Sequence, residues 1–277
     1  MILESLREAL GRMADTPALW IAGLYPGTLI AVYLLIQDGG NPLFGARIGF
    51  LGLCALPFFL GGSYGAIRSE DRGLHAYLGA GGRYFFRILL AGVIIVSAAL
   101  LAGFLVMVPA AFTGGSLQDI APPVLLGVGA LFAFFTFFTD TAVVFEDRKV
   151  LDSIRRSVGF VAGNPLRAVA FYLAGIAAGA LVFFASVILW LSTSAGELQP
   201  LLDANQTSLQ NMTPTQLVNF VGPGGIAAAA GIGFVAFVIW ATFLLSFKAC
   251  FFRRAASAPA ETTPMGEFDE KGRWYRY

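Results

Sequence analysis

The sequence predicts an all-α fold, an integral membrane bundle of six transmembrane helices with amphipathic helices on its cytoplasmic face. Three observations predict it. Of 277 residues, 57% are hydrophobic and only 13% are charged, whereas a soluble domain carries about 25% charged residues. Six apolar stretches are long enough to cross a hydrocarbon core of ~30 Å. Nearly all the basic residues fall on one side of those stretches.

The apolar stretches cover about 17–36, 44–67, 88–112, 122–145, 166–193 and 222–252. Their length matches roughly 20 residues per membrane-spanning helix, and no alternating pattern points to a barrel. Acidic Glu4, Glu8 and Asp15 stand where a secretory leader carries basic residues. The first stretch is therefore expected to stay in the membrane. Pro26, Pro57 and Pro109 interrupt three of the spans and are expected to kink them.

Orientation follows from the loops. Seventeen of the 18 Lys and Arg residues lie before the first span, after the second and fourth, or at the end of the sixth and in the tail. Arg47 alone falls on the other side. By the positive-inside rule this places both termini in the cytoplasm, in the cell membrane. The opposite loop at about 194–221 holds two glycosylation sequons, at Asn205 and Asn211.

A repeat organises the basic side. Residues 2–17 and 150–165 align without gaps and share Leu3/Leu151, Ser5/Ser153, Arg7/Arg155, Gly11/Gly159, Ala14/Ala162 and Pro17/Pro165. Ile2, Leu6, Leu10 and Met13 in one, and Val150, Ile154, Val158 and Val161 in the other, fall on one helical face. Each segment reads as an interfacial amphipathic helix that turns into a span at Thr16-Pro17 or Asn164-Pro165. Leu74, Tyr77 and Leu78 mark a weaker third copy. The membrane domain, 1–254, then divides into three hairpin repeats at about 1–67, 68–145 and 146–254, followed by a cytoplasmic tail, 255–277. The tail carries a turn signal between aromatic residues at 266–277, which reads as a small hairpin, a headgroup-level anchor or a disordered end.

The stretch Glu146-Asp147-Arg148, followed by Leu151, Asp152, Ile154, Ser157 and Asn164, resembles a signature of uncharacterised multi-pass membrane families. They include archaeal integral membrane proteins and the membrane-spanning region of some glycerophosphoryl diester phosphodiesterases. The resemblance implies a six-helix membrane domain and no catalytic residue. The phosphodiesterase barrel has no room in this chain.

Chemistry has few footholds. Asp140 is an acidic residue inside a span, roughly 9 Å into the fourth helix at 1.5 Å per residue. It is a candidate proton or cation site. The competing reading is a carboxylate near the interface, bonded to Thr136, Thr139 or Thr141 or paired with a cytoplasmic Arg. Gly61-Gly62-Ser63-Tyr64-Gly65 spells a nucleophile elbow, but that motif requires a strand–turn–helix, and the single histidine, His75, lies on the next loop. Cys54 and Cys250 sit in apolar runs and read as core residues. One histidine and two cysteines offer no metal cluster, no cofactor motif is present, and a net charge of +1 gives no nucleic-acid footprint. Gly23/Gly27, Gly45/Gly49, Gly61/Gly65 and Gly175/Gly179 are spaced for close helix packing, within the chain or in self-association. Three function classes follow, in this order: a non-enzymatic organising or regulatory membrane protein working with the lipid bilayer and a membrane protein partner, a transporter or lipid-handling protein, and a membrane-embedded hydrolase.

Overall fold

A computed structural model describes residues 1–38, 42–69, 73–112, 116–196, 214–257, 267–268 and 274–275. Six helices are long and apolar enough to cross a membrane: Leu19–Ile36, Phe44–Ser69, Leu74–Pro109, Gln118–Phe145, Pro165–Thr193 and Val221–Ser257. In chain order the elements are α1 (Ile2–Asp15), α2 (Leu19–Asp38), α3 (Pro42–Ser69), α4 (Leu74–Phe112), α5 (Leu117–Thr136) and α6 (Thr139–Phe145). They continue with α7 (Val150–Gly163), α8 (Pro165–Thr193) and α9 (Pro214–Ser257). The sequons at Asn205 and Asn211 lie outside the described residues.

The second span, the end of the fourth and the sixth meet at the centre of the packing. α3, α6 and α9 pack pairwise against one another, while α2 leans on α3 and α9, α4 on α3 and α5, and α8 on α9. Glycine permits the closest approach. A Cβ on Gly23 would run into the Thr242 hydroxyl and the Val238 carbonyl, and one on Gly27 would lie 2.8 Å from the Phe234 carbonyl oxygen. The Gly23/Gly27 pair thus seats α2 on α9, as small residues do in membrane helices. Gly65 admits Ala80 in the same way between α3 and α4, whereas Gly49 meets nothing.

Packing is concentrated at the basic end of the bundle. Phe138, Phe160, Phe171, Phe247, Phe251 and Phe252 are buried together with Ala9. Their rings approach to 4.7 Å between Phe171 and Phe247 and to 5.0 Å between Phe138 and Phe160, within the range of favourable aromatic pairs. The outer faces of the spans show large apolar side chains instead: Leu126 is 77% exposed and Leu181 73%. In water such a surface aggregates; a hydrocarbon surrounding satisfies it.

The two strong repeat copies form helices, α1 and α7, and each bends into a span where the sequence places its proline. Their buried edges occupy equivalent positions. α1 buries Ser5, Ala9 and Met13, and α7 buries Ser153, Ser157 and Val161. Leu3 and Leu10 of α1, like Leu151 and Val158 of α7, stay exposed. The expected stripe therefore splits: Leu10 and Val158 stay exposed while Met13 and Val161 are buried, together with Ser5 and Ala9 on α1 and Ser153 and Ser157 on α7.

The third copy departs from expectation. Leu74, Tyr77 and Leu78 belong to α4, which runs unbroken from Leu74 to Phe112. No proline stands between Leu74 and Ile88, so nothing removes a backbone donor or forces an extended residue there. The fourth span departs in the opposite sense. It is interrupted between Thr136 and Thr139, giving α5 and α6. The last span breaks at Gly222, whose φ of 67° and ψ of 170° are open to glycine and strained for other residues. At the tail, Glu267–Phe268 pairs antiparallel with Trp274–Tyr275.

Candidate functional site

The three inner spans meet at an ion pair. Asp140 opens α6, one residue past the break in the fourth span. Lys248 of α9 places Nζ 2.6 Å from its Oδ1 and 2.7 Å from its Oδ2. Tyr64 of α3 donates its hydroxyl to Oδ2 at 3.3 Å, and the backbone N–H of Thr141 donates to Oδ1 at 2.7 Å. The Lys248 ammonium also lies 4.0 Å from the centre of the Phe137 ring, a cation–π contact. Side-chain exposure is 5% for Lys248 and 13% for Asp140. An unpaired charge at such a position costs several kcal/mol, roughly 3–5 when one partner is removed; here the opposite charge, a phenol, an amide and a ring together satisfy it.

Asp140 is thus paired with a lysine of the sixth span, not with an arginine of the rim. Among the threonines, Thr141 takes part through its backbone, while the Thr136 hydroxyl donates to the Phe132 carbonyl. By position Lys248 falls among the basic residues at the end of the last span. Its flanks carry the missing signal: Phe247 precedes it, and Ala249, Cys250, Phe251 and Phe252 continue the apolar run for a full turn beyond it.

Ser157 of α7 mends the break beside this pair. Its hydroxyl donates to the Phe135 carbonyl at 2.8 Å and accepts from the Phe138 N–H at 3.1 Å. The Thr141 hydroxyl donates to the Phe138 carbonyl at 2.7 Å. Backbone groups freed by interrupting a helix are costly when buried, and these side chains take them up.

The remaining residues of the signature-like stretch surround the same joint. Glu146 accepts from Arg156 of α7 at 2.8 Å and also bonds Arg148. Asp147, at a φ of 51°, accepts from Arg87 at 2.7 Å and Arg83 at 3.2 Å at the base of α4. Asn164 links α7 to α8: its amide donates to the Phe160 carbonyl at 3.2 Å and its backbone carbonyl accepts from Ala168 at 2.9 Å. Asp152 is exposed in the first turn of α7, where an acidic side chain favours the helix dipole.

The equivalent joint on α1 has its charges reversed. Glu8 occupies the repeat position of Arg156 and accepts from Arg254 at 2.8 Å, from Arg253 and from Arg12 at 3.3 Å. Glu4 adds a bond from Arg254 at 3.0 Å. Partial burial raises the Glu8 carboxyl, but the Arg254 hydrogen bond, the Arg253 charge and the Arg12 hydrogen bond outweigh it. The group is held below the ordinary glutamate value.

The elbow-like sequence is an ordinary helix turn. Ser63 lies within α3 and donates to the Phe59 carbonyl at 3.0 Å, and His75 is exposed in the first turn of α4. Cys54 and Cys250 are free thiols in α3 and α9. Among the described residues no group of His, Cys, Asp and Glu is placed to hold a metal ion.

Residues 1–255 match a family model described as a domain of unknown function (DUF7847), and the chain belongs to that family. No curated protein and no solved structure matches the chain.

Proposed function

We propose that this member of the DUF7847 family is a multi-pass protein of the cell membrane, with both termini in the cytoplasm, that organises or regulates other membrane components without catalysing a reaction. The observation that carries this reading is the closure of the Asp140–Lys248 pair. Both carboxylate oxygens and the ammonium are occupied by groups of the chain itself, and the backbone groups at the adjacent break are bonded to Ser157 and Thr141. A carrier site keeps a position free for its cargo; this one spends its polar groups on joining three spans. In this reading α1 and α7 lie in the headgroup layer with Leu3, Leu10, Leu151 and Val158 toward acyl chains. The three hairpins are repeats, and the basic end is the face on which a protein partner docks. The signature-like stretch from Glu146 to Asn164 is the ground for expecting kinship with archaeal membrane proteins and with phosphodiesterase membrane regions.

A transport or lipid-handling role is the second reading. It is favoured by the interrupted fourth span, since discontinuous helices form ion and substrate sites in transporters. The buried hydroxyls of Thr139 and Ser246, near Asp140 and Lys248 in sequence, have no bonding partner among the described residues. Native mass spectra of wild type and Asp140→Asn in mild detergent separate the two. A stoichiometric protein partner retained by both supports the organising role. A small molecule held by wild type and lost from the variant contradicts it.

A further inference from the structure

A pocket of about 300 Å³ opens at the basic end of the three inner spans. α3 supplies Arg68, the end of α6 supplies Phe145 and Glu146, and α9 supplies Phe252, Arg253 and Ser257. Phe145 and Phe252, with ring centres 6.4 Å apart, line it, and Phe145 lies 6.2 Å from the Tyr64 ring. Aromatic rings thus stand between the pocket and the tyrosine that bonds Asp140.

The electrostatics favour an anion. Arg68 and Arg253 line the pocket together with the carboxylate of Glu146, and Glu146 is itself shared by Arg148 and Arg156. Among the described residues positive charge is left in excess around the opening. Arg68 is pinned there, because its Nη1 donates to the Val144 carbonyl at 2.5 Å and to the Tyr84 hydroxyl at 3.0 Å. Among the described residues those bonds leave its Nε and Nη2 donors open to a ligand. The pocket therefore joins a held guanidinium, a second guanidinium on Arg253 and an apolar aromatic wall.

We propose that this pocket binds an anionic phosphate group, with Arg68 as the principal ligand and Arg253 beside it. Guanidiniums match phosphate oxygens with paired hydrogen bonds. Basic pockets between membrane helices recognise phospholipid headgroups by the same chemistry. The phosphate is carried either by an anionic lipid, whose glycerol region rests on Phe145 and Phe252, or by a soluble phosphorylated compound. The site does not depend on the organising role.

The test uses the full chain in detergent micelles doped with phosphatidylglycerol or with phosphatidylcholine, or supplemented with glycerol phosphate, read by native mass spectrometry. The expected result is one phosphatidylglycerol per chain, held ~10-fold more strongly than phosphatidylcholine and lost to the phosphatidylcholine level in Arg68→Gln. Arg155→Gln removes one charge from an exposed position on α7 and leaves retention unchanged. If Arg68→Gln fails to fold, Arg68→Lys keeps the charge, loses the fork and is expected to weaken retention. Binding of glycerol phosphate with no lipid retained supports the site and assigns a soluble ligand. Equal retention of both lipids that Arg68→Gln leaves unchanged overturns the proposal. So does an equal loss from Arg68→Gln and Arg155→Gln, which makes the attraction a diffuse surface field.

Discussion

Charged residues occupy two layers of this molecule, and they behave differently. At membrane depth, Asp140 and Lys248 are nearly sealed from solvent, and Tyr64, Phe137 and Thr141 close around them. At the basic rim, Glu8, Glu146 and Asp147 each bond two or more arginines, with side chains between 18% and 38% exposed. The inner pair joins the three central spans. The rim pairs fasten what lies around them: α1 to the end of α9, α7 to the end of α6, and the base of α4 to the turn between. Desolvation makes the inner layer intolerant of losing one partner, while water screens the rim. The fold is thus specified from within and trimmed from outside.

The largest expected effect follows from removing one half of the inner pair. Lys248→Met leaves the Asp140 carboxylate buried beside a phenol and is expected to lower stability by about 3–5 kcal/mol, read as a shifted denaturation midpoint in lipid nanodiscs. A loss no greater than that of a rim substitution would erase the distinction between the layers. Ser157→Ala comes next. It strands the Phe138 N–H and the Phe135 carbonyl at the break, at a cost of about 1–3 kcal/mol. Hydrogen exchange is expected to quicken at the start of α6 and leave α2 unchanged.

Arg156→Gln and Glu8→Gln test the rim at equivalent repeat positions. Each is expected to cost about 1 kcal/mol or less, because these groups remain partly hydrated. The consequence is local: faster exchange in α7 for the first and in α1 for the second. The smallest effect is a pH dependence. The Glu8 carboxyl titrates below its unfolded value, so its contribution is present above the unfolded value and is lost as pH falls through the folded one. Protease cleavage within α1 is expected to rise on acidification in wild type and to lose that rise in Glu8→Gln. An unchanged acid response in the variant would assign the effect to another group.

Much of the scaffold is readable in the sequence because bilayer thickness and backbone hydrogen bonding leave few alternatives. The apolar runs locate the spans, and Thr16-Pro17 and Asn164-Pro165 locate the bends after α1 and α7. The match of Ser5 with Ser153 anticipates which edges of those helices are buried, although no pattern rule separates that edge from the leucines beside it. The polar joint was half legible. Asp140 stands out as an acid among phenylalanines, but Lys248 lies close enough to Arg253 and Arg254 to pass for part of the basic end. Only the depth of α9 in the bundle reveals it as the partner. The break at 137–138 left no trace either, since neither glycine nor proline marks it. It depends on Ser157, nineteen residues from Phe138, and tertiary bonds of that kind are invisible to local pattern.

The central claim is that the intramembrane pair is a joint and not a carrier. The most direct measurement is the stability and partner retention of the charge-neutral double substitution Asp140→Leu with Lys248→Met, compared with each single change. The account predicts that both singles are strongly destabilised, that the double recovers to near the wild-type midpoint, and that any protein partner that co-purifies with wild type is retained by the double. A double variant that folds as well as wild type yet loses a bound ion or small molecule would contradict it and make Asp140 and Lys248 the working groups of a transport site.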